Sequence, residues 1–136
     1  MPARQPNARE AEQAPPPLHE LEAEVMEQLW KSGEAPVREV MEALNKGARK
    51  KRAYTTYMTI MARLNKKGML VRRREGKTDF YAPSRDREQY MALRARAQVE
   101  DLVAQYGDVA LSNFAEQMAS LDPARRRALQ RLARNS

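Results

Sequence analysis

Between Leu18 and Pro83 the spacing of apolar residues changes character once, and that change limits the folds open to the chain. Leu18, Leu21, Val25 and Leu29, with Met26 and Trp30, recur every three or four residues, as one face of a helix does. Ser32–Gly33 stops this first helix, at about 18–32. Val37, Val40, Met41 and Leu44 repeat the spacing behind Pro36, which suits a first helical turn, and predict a second helix at about 36–44. Tyr57, Ile60, Met61 and Leu64 predict a third over Ala53–Lys67, ended by Gly68. From Met69 the period is lost. Two β-prone runs, 69–74 and 78–83, flank Glu75–Gly76–Lys77 and read as a hairpin that Pro83 closes. Three short helices followed by a hairpin are the elements of a winged helix-turn-helix.

Charge points to the partner. The chain has 136 residues and a net charge of +7. Residues 18–45 hold two basic and seven acidic groups, whereas 46–78 hold twelve basic groups and Glu75 alone. A charge run is usually a solvated face, but a merely solubilising surface mixes its signs and this one hardly does. A polyanion is therefore the first partner to consider. With no cysteine and a single histidine, His19, the chain lacks the residues for disulfides, thiolate chemistry or a Cys/His zinc site. No Ser/His/Asp set or phosphate-binding glycine loop suggests an enzyme, and no cofactor is expected. The longest uncharged stretch of the helical region, Ala53–Ala62, is too short to cross a bilayer. With no secretory signal at its start, the chain reads as a soluble cytoplasmic protein.

The third helix carries the specific signal. Its apolar stripe is core, and Thr55, Thr56, Thr59 and Arg63 project elsewhere, with Met58 and Ala62 beside them. Threonine is a poor helix former, so three on one face imply a compensating use. Short hydroxyls can approach base edges in a major groove. The loop before this helix holds Lys46, Arg49, Lys50, Lys51 and Arg52, and the hairpin after it holds Arg72, Arg73, Arg74 and Lys77; both would meet phosphates. Glu20, Glu22, Glu24 and Glu27 are expected on the outer face of the first helix, turned from the duplex. Tyr54, Phe80 and Tyr81 are expected to pack rather than stack on bases.

Three features carry a family resemblance: the run from Leu18 to Met26 with Leu29–Trp30, Val37–Arg38–Glu39–Val40, and above all Ala53–Tyr54–Thr55–Thr56–Tyr57–Met58–Thr59–Ile60–Met61–Ala62–Arg63–Leu64. Together with Lys66–Lys67–Gly68 and Tyr81–Ala82–Pro83 they resemble the BlaI/MecI penicillinase-repressor family of winged-helix transcriptional repressors. The resemblance implies a homodimer bound to a two-fold symmetric DNA operator. Thr55, Thr56 and Thr59 would face bases, with Met58 at a thymine methyl. Arg63 would join Lys50, Lys51, Arg52, Arg72, Arg73, Arg74 and Lys77 on phosphates.

The fold class expected is thus mainly α with a small β-hairpin wing, followed by a C-terminal helical dimerisation module. Its parts are a disordered tail at 1–17, where the prolines cluster, a winged-helix domain at 18–83 and the helical module at 84–136. That module contains one long helix from Arg87 to Tyr106, a second marked by Leu111, Phe114, Met118 and Leu121, and a basic third opened by Asp122–Pro123. The resemblance assigns Leu93, Leu102, Tyr106, Leu111, Phe114, Met118, Leu129 and Leu132 to dimerisation. In some members a signal leads a sensor-linked protease to cut an Asn–Phe bond in this module, and Asn113–Phe114 stands at the comparable place. Phe114 is read first as a dimer-core aromatic. The basic loop 46–52 exceeds the usual pattern, and the cysteines of the related copper-responsive repressors are absent. Two other readings remain open on the residues alone: a non-specific nucleic-acid-binding or architectural protein, and a winged helix acting as a protein-interaction adaptor.

Overall fold

The structure, a computed structural model, describes residues 14–135. Its elements are α1 (Glu20–Ser32), β1 (Ala35–Pro36), α2 (Val37–Asn45), α3 (Tyr54–Lys66), β2 (Leu70–Glu75), β3 (Thr78–Pro83), α4 (Arg87–Tyr106), α5 (Asp108–Ala119) and α6 (Pro123–Asn135). The chain divides into two compact units, one ending at Ala95 and one beginning at Arg96. The tail expected at 1–17 lies outside the described residues up to residue 13. At its end Pro15 is buried, and the Pro15 and Pro16 carbonyls accept hydrogen bonds from Arg94 Nη1 (3.1 Å) and the Tyr90 hydroxyl (3.5 Å).

The first unit is built around the stripes read from the sequence. Val25, Met26 and Leu29 of α1, Val40 of α2, and Tyr57, Met61 and Leu64 of α3 are buried together. The hairpin closes the cluster with Leu70 and Tyr81, and Tyr90 of α4 joins it. Trp30 and Tyr90 stack obliquely, with ring centroids 5.2 Å apart, and the Trp30 indole donates to the Arg85 carbonyl at 2.8 Å. An amphipathic stripe on each of three helices therefore finds one shared interior, and the opposite face of each is left to solvent.

The sheet has three strands where the sequence predicted two. β1 pairs antiparallel with β3, setting Ala35 opposite Tyr81 and Pro36 opposite Phe80, and the strand order is β1-β3-β2. Two residues are too few to show a period, and Pro36, expected inside α2, instead caps it from the strand with φ −79° and ψ 165°. Gly76 takes φ +62° between Glu75 and Thr78, which face each other across the hairpin. Positive φ at the first central residue and not at Lys77 is the sign pattern of a type II′ turn, and it matches the strand twist.

Two expectations are corrected. Glu22 is not on the outer face of α1: it is 1% exposed, accepts the His19 backbone N–H at 3.0 Å and pairs with Lys67 Nζ at 2.8 Å. Its position three residues after the helix cap brings the carboxylate back to the start of α1, beside the end of α3. Tyr54, expected to pack, is 43% exposed: it is the first residue of α3, ahead of the packed stretch that begins at Tyr57.

In the second unit the Asp122 carboxylate accepts the Arg125 N–H at 2.9 Å and caps α6, as the Asp–Pro signal predicts. Apolar residues here stay largely in solvent. Val109 and Leu132 are each 65% exposed, and Leu102, Tyr106, Leu111 and Phe114 are also exposed.

Candidate nucleic-acid interface

α3 is fixed from within. Tyr57, Met61 and Leu64 are fully buried, so the orientation of the helix follows from its core face. The opposite face must then look outward, and Thr55, Thr56, Met58, Thr59 and Arg63 are all exposed. Thr55, Thr56, Thr59, Ile60 and Arg63 line one shallow, open depression. Ala53 gives α3 no side-chain cap, and the first turn contains no acid. Its exposed amides and the positive end of its dipole therefore face the basic loop without a compensating anion from the first turn.

The loop and the hairpin bracket this face in sequence. Lys46, Arg49, Lys50 and Lys51 are exposed and make no ion pair among the described residues. Arg52 is engaged: its guanidinium lies 3.5 Å from Glu24, and its backbone N–H and carbonyl both bond the side-chain amide of Asn45, at 3.1 and 2.9 Å. That amide oxygen also accepts the Tyr57 hydroxyl at 2.9 Å.

The wing arginines divide by strand alternation. Arg72 and Arg74 point to one face and are exposed. Arg73 points to the other with Glu75, and meets Glu34 at 2.6 Å and Glu75 at 2.9 Å, while its guanidinium sits 4.8 Å from the Phe80 ring centroid. Those two carboxylates hold the guanidinium more firmly protonated than an isolated arginine. The hydrogen bond from Arg73 in turn holds Glu34 below the usual carboxylate range, against the small opposing effect of burial. Arg73 thus ties the wing to the residue preceding β1. Lys77, at the tip, is exposed.

Asn45, Glu34 and Lys67 carry roles that no sequence pattern marks. Asn45 closes a helix and Glu34 precedes a strand, and both look locally like turn residues. The bonds from Asn45 go to the backbone of Arg52, which leaves no residue-type signal in the sequence. Among the described residues no cluster of three or more His, Cys, Asp or Glu could hold a metal ion, and no helix is long and apolar enough to cross a membrane.

The residues expected to dimerise fall mainly on α4, α5 and α6. Leu102, Tyr106, Leu111, Phe114 and Leu132 are exposed, and Leu93, Met118 and Leu129 are half-buried. Asn113 and Phe114 lie in mid-α5, where Asn113 Nδ2 donates to the Val109 carbonyl at 2.9 Å.

A three-helix core with a β-hairpin behind its third helix, and a polar outer face on that helix, defines a winged helix-turn-helix protein. A penicillinase repressor family model matches residues 18–135. A transcriptional regulator BlaI of Mycobacterium tuberculosis is 39% identical over 120 residues, covering 85% of this chain and 84% of its own. A penicillinase repressor of Bacillus licheniformis is 30% identical over 82 residues, covering 60% and 62%. The chain belongs to the penicillinase repressor family. It is also similar to two solved structures: the DNA-binding domain of the repressor BlaI, and the monomeric Bacillus licheniformis BlaI in complex with the blaP half-operator. Each is 32% identical and covers 57% of this chain and 93% of its own, with TM-scores of 0.49 and 0.47.

Proposed function

We propose that this chain is a homodimeric, sequence-specific DNA-binding repressor that acts in the cytoplasm by occupying a two-fold symmetric operator. The observation that carries the reading is the division of α3: one face fully buried in Tyr57, Met61 and Leu64, the other a solvent-facing row of Thr55, Thr56, Thr59 and Arg63. Family membership supports the repressor role. In this reading the threonines, with Met58, meet base edges, and Arg63, Lys50, Lys51, Arg72, Arg74 and Lys77 meet phosphates. Residues 18–83 read DNA, and 84–136 pair two copies. The exposed apolar residues of α4 to α6 support that pairing, since their burial by a second copy would remove them from water. No metal or cofactor enters the reading.

Thr56→Ala and Thr59→Ala should each flatten the preference among operator variants. A full bidentate base contact is worth about 1–3 kcal/mol, and a single hydroxyl should fall at or below the lower end. Competition binding against a panel of single-base variants measures this. Unchanged discrimination in both mutants would mean that α3 is not the reader, and random duplex competing equally well with operator would favour non-specific binding.

The wing makes a separate prediction. Replacing Arg72, Arg74 and Lys77 by glutamine should weaken all duplexes alike and lower the salt-dependence slope by about 0.9 for each phosphate no longer neutralised. Arg73→Gln should leave that slope nearly unchanged, because its charge is already spent on Glu34 and Glu75. Anisotropy titrations across a salt series distinguish the two, and equal reductions in slope would remove the division drawn between these arginines.

In this reading, cleavage at Asn113–Phe114 relieves repression. The bond is exposed but helical, so a sensor-linked protease would have to unwind α5 locally to cut it. Severing the chain there would detach the C-terminal half of α5, with Phe114 and Met118, and all of α6 from the DNA-reading residues. Two half-site binders would then replace one linked binder.

A further inference from the structure

The basic loop between α2 and α3 has a closed base, and its ends are held by one side chain. Asn45 is the last residue of α2, and its amide uses both polar atoms on Arg52, seven residues on. Its oxygen is shared with the hydroxyl of Tyr57, whose side chain is fully buried in the α3 core. The loop is therefore anchored to the same interior that orients α3. Between the anchored ends lie Lys46, Arg49, Lys50 and Lys51, all exposed and, among the described residues, outside any ion pair, while Arg52, at the closure, is engaged with Glu24. Four cations on a loop of loose ends would lose conformational freedom on meeting a phosphate chain. On a loop already closed, much of that cost has been met in folding.

We infer that Asn45 is a positioning residue for nucleic-acid binding, and that the bracket it forms presents the loop as a preset phosphate-binding arm beside the N-terminus of α3. The inference rests on the DNA-binding reading above and deepens it. Asn45 itself touches no phosphate; it acts through the loop. Its loss should therefore appear in the salt dependence of binding, which a purely structural residue would leave unmoved.

The test compares four proteins, all in the full chain, binding a random-sequence DNA duplex across a salt series. They are the wild type, Asn45→Ala, a loop variant with Lys46, Arg49, Lys50 and Lys51 changed to Gln, and the combination. The loop variant should lower the salt slope by about 0.9 for each cation removed from a phosphate. Asn45→Ala should lower the slope part of the way and weaken binding about tenfold, the scale expected when a few side chains must be ordered on binding. In the combined protein Asn45→Ala should add little, because the cations it positions are gone. Limited trypsin digestion should cut the loop faster in Asn45→Ala. If that variant folds poorly, Asn45→Ser serves in its place: it adds no charge, keeps a hydroxyl at the end of α2, is too short to bond both the N–H and the carbonyl of Arg52, and should lower the slope in the same direction. Tyr57→Phe, which frees the bracket from the α3 core but leaves both Arg52 bonds, should lower the slope less than Asn45→Ala does. A wild-type slope in both Asn45 variants, with the wild type and loop variant behaving as expected, would overturn the role of Asn45 and leave the DNA-binding reading standing. A wild type that binds no duplex would overturn both.

Discussion

A Phe114→Asp variant should sediment as a monomer and lose about two to four orders of magnitude in affinity for a two-site operator. Phe114 is 37% exposed on α5, with Leu111 one turn before it and more exposed still. A carboxylate placed between two copies would be desolvated without a partner, which an interface of this kind does not tolerate. The DNA-reading unit holds no part of α5, so its fold should be untouched. Affinity for an isolated half-site should therefore stay near the wild-type value while the gain from linking two half-sites disappears. Sedimentation and binding to one-site and two-site duplexes check both parts. A variant that remains dimeric would place the interface elsewhere, and a monomer that binds the two-site duplex as tightly as the wild type would dissolve the argument for a linked pair.

Lys67→Ala should destabilise the first unit by about 3 kcal/mol at neutral pH, the low end of the cost of breaking a buried ion pair, since Lys67 keeps some solvent access. Burial pushes the Glu22 carboxyl upward. The Lys67 hydrogen bond, the His19 backbone N–H and the neighbouring positive charge outweigh it, so its pKa sits below the ordinary carboxylate value of 4.5. A carboxyl held low when folded adds stability above the unfolded pKa and loses it as pH falls through the folded value. Without Lys67 the opposing burial and the His19 backbone N–H remain, so the Glu22 pKa rises and the stability it adds at neutral pH shrinks. The stability gap between wild type and variant should thus be widest near neutrality and narrow as pH drops below about 4.5. Denaturant melts at several pH values measure this. A gap that stays constant with pH would show that Glu22 and Lys67 are not coupled.

The helices were legible because burial writes a period into sequence. The stripes Val25–Met26–Leu29 and Tyr57–Met61–Leu64 needed no knowledge of their partners to be recognised. The outer face of α3 was legible for the complementary reason, since what the core does not claim must face outward. What escaped had no period. β1 is two residues long and exists only because β3 offers Phe80 and Tyr81 as an edge to pair with. Glu22 sits on the helical repeat of an outer face, yet its burial is decided by Lys67, forty-five residues away. The three wing arginines are identical in sequence, and strand alternation with Glu34 nearby is what sets Arg73 apart. Local pattern reports which face is apolar; distant charges decide which polar residues are spent inside the fold and which remain for a ligand.

The pairing of β1 with β3 has a consequence for how such a chain can vary. The middle of β3 is stitched at Ala35–Tyr81 and Pro36–Phe80, whereas the tip of the hairpin from Glu75 to Thr78 pairs only with itself. Insertions within the stitched stretch would break it and tilt the hairpin against α2. Residues added at the tip would lengthen its reach and leave its footing intact. The tip is accordingly where a lineage could experiment with reach at little risk to the rest of the domain.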